Sequence, residues 1–179
     1  DPGKEFLAPS FFIDWDTDAV KGLSGQALFG LPAAADPLRK ARAVEAWVHR
    51  NMKAVEFSQA MATCSNVAKT LSGDCTEYAM LSVGLLRAAG VPARTVLGLV
   101  YAPAPGGGRP YLAYHMWFEV YAGGRWVPFD ATLGQGKVGP GHIKITTASW
   151  HEERSFAPLL PVLTVLSAAP QVEVVRAGK

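Results

Sequence analysis

From Leu38 onward the apolar residues fall on one side of a helical repeat. Leu38, Ala41, Val44, Val48 and Met52 recur in steps of three and four, with Arg39, Lys40, Arg42, Glu45 and Arg50 on the other faces. Asp36-Pro37 supplies an N-cap and a proline at the first helical position, which predicts a helix over residues 37–52. A shorter helix is expected from about Asn66 to Leu71, capped by Ser65 and stopped near Gly73. A third begins at Cys75, where Ala79, Leu81, Leu85, Leu86 and Ala89 mark its buried stripe. Gly90 then provides a left-handed stop and Pro92 prevents continuation.

Beyond Pro92 the pattern changes to β. Ala93–Tyr101 is rich in β-branched and apolar residues, and Tyr111–Tyr121 alternates large side chains. Between them Ala102–Pro110 reads as a loop by its glycines and prolines. Ala122-Gly123-Gly124 is a turn signal, so Arg125–Phe129 closes a hairpin. Val162–Leu166 and Val172–Val175 read as two further strands. Residues 1–35 carry enough Gly and Pro to break any long element. Their apolar cluster (Phe6, Leu7, Phe11, Phe12, Ile13, Trp15) either covers the core or contacts a domain upstream. Helices first and antiparallel strands afterwards predict an α+β fold.

Composition narrows the possible roles. With 179 residues, 49% hydrophobic and 18% charged, the chain can bury one substantial core. A net charge of +2 with scattered Lys and Arg gives no footprint for nucleic acid. No apolar run reaches the roughly 18–20 residues that span a bilayer. The chain starts Asp1-Pro2 without methionine, so a mature form or a fragment is expected, with any leader, anchor or further upstream domain lying outside it.

The chemistry centres on Cys75. A thiol in the first turn of a helix faces unpaired N–H groups and the positive end of the helix dipole, both of which favour thiolate. Cys64, the other cysteine, is read as a small buried side chain, with a disulfide to Cys75 as the competing explanation. A nucleophilic thiol needs a base, and the base an orienting group. His115 sits within the apolar strand run, and Asp130 follows the end of its hairpin partner, so the two are cross-strand or diagonal neighbours. In this arrangement Asp130 is expected to accept Nδ1–H of His115 while Nε2 faces the thiol.

Gly73-Asp74-Cys75-Thr76-Glu77-Tyr78-Ala79 and Arg87–Arg94 resemble the cysteine motif of the bacterial transglutaminase-like superfamily. His115–Tyr121 and Gly124–Thr132 are similar to its histidine and aspartate motifs, in the same order. The likeness covers about residues 37–147, including a trailing Gly141-His142-Ile143-Lys144-Ile145. One departure is Ala131, where many members have proline. The resemblance implies a papain-like core, with a nucleophile helix on an antiparallel sheet. It also implies Cys75 as nucleophile, His115 as general base and acid, and Asp130 as orienting carboxylate. Residues 37–179 are then the catalytic domain, with its motifs within 73–132, and residues 1–36 an extension or the remnant of an upstream contact. The implied activity is acyl transfer from an amide or carboxamide of a peptide or protein through a thioester, ending on water or an amine. The alternative is a catalytically silent binding module of the same fold. An exported or envelope location is implied by the resemblance alone.

Other residues are assigned around this set. Trp117, on the same strand face as His115, shields the ion pair, lines the acyl groove or packs. Glu77 hydrogen-bonds near the site or is a solvated helix residue. Asn66 or Ser65 supplies a second oxyanion donor beside the Cys75 N–H. Asp74 points outward or caps the helix. His49, His142 and His151 read as surface or packing residues, and no metal or cofactor is expected, since no third clustered ligand and no calcium loop are visible.

Overall fold

The computed structural model describes residues 1–55, 61–103, 106, 108–136 and 138–168. Five helices and six strands make up the described fold: α1 Asp18–Ala27, α2 Pro37–Asn51, β1 Lys53–Ala54, α3 Cys64–Thr70, β2 Ser72–Gly73, α4 Cys75–Ala88, β3 Ala93–Ala102, β4 Tyr111–Ala122, β5 Arg125–Phe129, β6 His142–Ala148 and α5 Leu160–Ser167. β5, β4, β3 and β6 form one antiparallel sheet in that order, while β1 and β2 form a short parallel pair. The α+β class is as expected.

α4 is the central element. Every residue from Thr76 to Arg87 is buried, because α1, α2 and α3 surround it on one side and β3 and β4 cover the other. Asp36 caps α2 as the sequence predicts, its carboxylate accepting the Leu38 and Arg39 N–H groups. The hairpin turn also forms, with Gly123 and Gly124 at φ 58° and 78°, the two left-handed positions that a two-residue loop needs.

Several expectations are corrected. α3 is capped by Thr63 rather than Ser65, whose N–H and hydroxyl are both taken by Asp14. α1 crosses Gly22 and Gly25 in a region read as broken. Tertiary packing sustains it: Val20, Ser24 and Ala27 are buried, and Ser24 Oγ donates to the Leu85 carbonyl at 2.8 Å. Val162–Leu166 belongs to α5, not to a strand, since a short apolar run fits either period and Pro161 in the first turn favours a helix. Val172–Val175 lies outside the described residues. β6 was not anticipated as a strand.

The N-terminal apolar cluster is divided. Phe12 and Ile13 enter the core and Phe6 packs edge-on against Trp126, while Phe11 stays exposed. Both cysteines are free thiols, with Cys64 buried over Gly84, where a Cβ would strike its sulfur.

Candidate active site

The start of α4 is built as a reciprocal cap. Asp74 accepts the Thr76 N–H at 2.9 Å, and Glu77 Oε2 accepts the Asp74 N–H at 3.0 Å. Glu77 Oε1 also accepts the Ala62 N–H at 3.2 Å. Glu77 is buried, and burial raises its pKa; it is neither solvated nor aimed at a reacting group, but holds the turn that carries Cys75. Gly73 is needed there, since at φ +155° a Cβ would run into the Glu77 side chain. With its neighbours satisfied, the Cys75 N–H is left without an acceptor among the described residues.

Cys75 Sγ lies against the edge of β4, in the stretch that β5 does not cover. The Met116 backbone N–H and the Thr76 hydroxyl lie close to it and act to lower its pKa. Burial nevertheless pushes the Cys75 thiol up to about 12, with the charges of Asp74 and Asp130 acting in the same direction. This is opposite to the effect of the helix N-terminus alone.

His115 and Asp130 meet, but through the other ring nitrogen. His115 Nε2 donates to Asp130 Oδ2 at 2.7 Å, instead of Nδ1 as expected. Register explains the correction. Phe129 pairs with Phe118, so Asp130 falls opposite Trp117, diagonal to His115 on the same face, and only the distal nitrogen reaches that far. Nδ1, nearer the backbone, makes no hydrogen bond among the described residues, and none joins the ring directly to Cys75. Asp130 Oδ1 accepts the Thr132 and Leu133 N–H groups at 2.9 and 3.2 Å. Burial acts to raise the Asp130 pKa, but the bonds from His115 and His142 outweigh it and hold the carboxyl well below the usual range.

His142 is the residue that sequence reasoning misplaced. It is neither a surface nor a mere packing histidine: its Nε2 donates to the same Asp130 Oδ2 at 2.9 Å, and its side chain is 4% exposed. Its ring meets Trp117 edge-on at 5.0 Å and His115 at 5.6 Å. The one available signal was its place in the Gly141–Ile145 segment, which forms β6. Gly98 makes room for this arrangement, since a Cβ there would strike the Trp117 ring and the Ile143 carbonyl. His115, Asp130 and His142 are the one group among the described residues with donor atoms close enough, within 4.8 Å, to hold a metal ion. Two imidazole N–H groups and two backbone N–H groups already saturate the carboxylate.

Trp117 is buried and stacks on His115 with centroids 6.1 Å apart and planes at 23°. Asn66 is exposed on α3, and Ser65 is engaged with Asp14, so neither is drawn into the site by any recorded contact. α2 holds the Asp130 loop from outside. His49 Nδ1 lies 3.0 Å from the Ala131 carbonyl, and Glu45 accepts the Gly136 N–H at 2.9 Å. His151 is partly exposed beside Glu152.

A cysteine-bearing helix against an antiparallel sheet that carries a histidine and a carboxylate defines the papain-like class of α+β folds. The chain belongs to the transglutaminase-like superfamily, whose family model matches residues 30–131. No curated protein matches the chain. Among solved structures it is similar to a protein from Cytophaga hutchinsonii described as a candidate cysteine protease, with 26% identity and a TM-score of 0.64 over 80% of this chain and 46% of that one. The periplasmic domain of TgpA from Pseudomonas aeruginosa shares the fold at 24% identity and TM-score 0.52, over 75% of this chain and 48% of that one. LapG from Legionella pneumophila does so at 13% identity and TM-score 0.56, over 90% of this chain and 99% of that one. The chain thus spans about half the length of the first two.

Proposed function

We propose that the protein is a cysteine-dependent acyl-transfer enzyme acting on an amide or carboxamide of a peptide or protein. The observation that carries this reading is the buried 2.7 Å bond between His115 and Asp130, with Cys75 Sγ close to the N–H of the very next residue, Met116. Asp130 fixes the tautomer by holding the proton on Nε2, which leaves the Nδ1 lone pair as the base. As Sγ attacks the carbonyl carbon, the thiol proton passes to Nδ1 and the carbonyl π pair moves to oxygen, which the Cys75 N–H receives. Collapse expels the amine, which takes the proton back from His115 and leaves a thioester on Cys75. Water or a second amine, deprotonated by His115, then releases the acyl group.

Because the resting thiol is protonated, His115 works as a base during attack rather than as one half of a standing ion pair. Trp117 covers the imidazole and keeps water from it, which strengthens the His115–Asp130 interaction. The likeness to TgpA, a periplasmic domain, supports an exported or envelope location.

Turnover of a glutaminyl peptide, with and without an added primary amine, tests the proposal and separates transferase from hydrolase. Loss of product in Cys75→Ala, His115→Ala and Asp130→Ala supports it. Peptide binding without any turnover in the unaltered protein would instead make it a silent binding module.

A further inference from the structure

Tyr114 carries a hydroxyl for which the fold has no use. It stands two residues before Met116 on β4, so strand alternation puts both on the face opposite His115. Its ring packs against the core, and Oη is buried without a hydrogen-bond partner among the described residues. An unpaired buried hydroxyl costs about 1–3 kcal/mol, and such a group asks for an explanation.

The surroundings of Oη are the first turn of α4. Burial above all, with the charges of Asp74 and Glu77 acting in the same direction, keeps the phenol protonated. The Thr76 hydroxyl comes near both Oη and Cys75 Sγ without the geometry of a hydrogen bond to either. The phenol and the sulfur therefore share a neighbour, at the strand edge where Met116 N–H lies close to the sulfur. His115 approaches from one face of β4 and Tyr114 from the other. A base and an oxyanion donor can then reach a carbonyl attacked by Sγ from different sides.

Resting on the acyl-transfer reading above, we propose that Tyr114 Oη–H is the second oxyanion donor, acting with the Cys75 N–H. In the step it serves, the Sγ–C bond forms and the carbonyl π pair becomes a lone pair on oxygen. Oη–H donates a hydrogen bond to that oxygen without giving up its proton. The bond lengthens again when the carbonyl re-forms and the leaving group departs. Ser65 and Asn66, the candidates suggested by the sequence, are respectively engaged elsewhere and exposed.

Tyr114→Phe removes one oxygen atom and separates an oxyanion role from a structural one. Acylation of Cys75 by p-nitrophenyl acetate, followed as the p-nitrophenolate burst, passes through an oxyanion. Alkylation of the same sulfur by iodoacetamide does not. We expect the burst rate to fall on the order of 10²-fold, the alkylation rate at the same pH to stay within about twofold, and the thermal midpoint to hold or rise, because no made hydrogen bond is lost. An unchanged burst overturns the proposal, as does an equal fall in both rates, which would mean that Tyr114 merely positions Cys75. A burst that persists in Cys75→Ala overturns the acyl-transfer reading along with it, whereas its loss there with no effect of Tyr114→Phe removes the tyrosine alone.

Discussion

At the scale of single residues, Asp130 and Cys75 face the same burial with different sets of donors. Asp130 receives four N–H groups, from His115, His142, Thr132 and Leu133, and its carboxylate is held against desolvation. Cys75 Sγ has burial against it, only two nearby N–H or O–H groups to offset it, and Asp74 and Asp130 as anionic neighbours, so its pKa is raised. For the thiol the expected outcome is iodoacetamide alkylation that keeps climbing with pH past the ordinary thiol value of about 8.5. A rate that is already flat between pH 6 and 7 would mean a standing thiolate–imidazolium pair instead. For Asp130 the sign is reversed. Folding lowers its pKa, so the unfolded chain binds the proton that the folded one releases. The stability it contributes is complete above about pH 4 and is lost as pH falls further. Asp130→Asn should cost about 3–5 kcal/mol near neutrality, as breaking a buried charged network does. Its thermal midpoint should then depend less on pH between 5 and 2 than that of the unaltered protein.

At the scale of elements, the turn into α4 is where sequence and site meet. Glu77→Ala leaves the Asp74 and Ala62 N–H groups unpaired, at about 1–3 kcal/mol each when buried. Urea midpoints should show a loss near the sum, with Glu77→Gln losing less because an amide oxygen still accepts. Activity should fall in step, since Cys75 sits in the turn that frays. α2, the body of α4 and the β4–β5 hairpin were legible because each is written in contiguous residues, whereas capping by Asp74 was one of two readings and the return bond from Glu77 was not read. What stayed hidden depends on distant partners. α1 exists through its packing on α4, and the α5 segment is a short run so uniformly apolar that it sets no period. Glu77 is buried because the Ala62 segment folds over it. That Nε2 rather than Nδ1 of His115 meets Asp130 follows from a diagonal register that the turn alone leaves open. His142 reaches Asp130 only because β6 pairs with β3 with a shift at Leu97/Gly98, a contact no local pattern announces.

At the scale of the whole molecule, Arg87 joins the parts. It is 1% exposed and its pKa is lowered to about 10 by burial, yet no carboxylate among the described residues bonds to it. Its guanidinium donates to the carbonyls of Ala93, Ala8 and Ser149, tying the end of α4 to β3, to the N-terminal segment and to the chain after β6. Lysine offers one ammonium where this fork serves three directions, so Arg87→Lys should destabilise nearly as much as Arg87→Met, by about 3 kcal/mol or more from unpaired carbonyls. The same junction bears on residues 1–36, for which the sequence allowed either a cover for the core or a contact for another domain. Besides Ala8 on Arg87, the Phe12 carbonyl accepts the Cys64 N–H at 2.8 Å, Asp14 holds Ser65, and Ser24 bonds α4. Removing this segment would uncover α3 and α4 together, and α4 is the helix that carries Cys75. A chain beginning at residue 37 should therefore lose cooperative urea unfolding along with any activity. A truncated chain that unfolds with an unchanged slope and midpoint would make the segment an appendage.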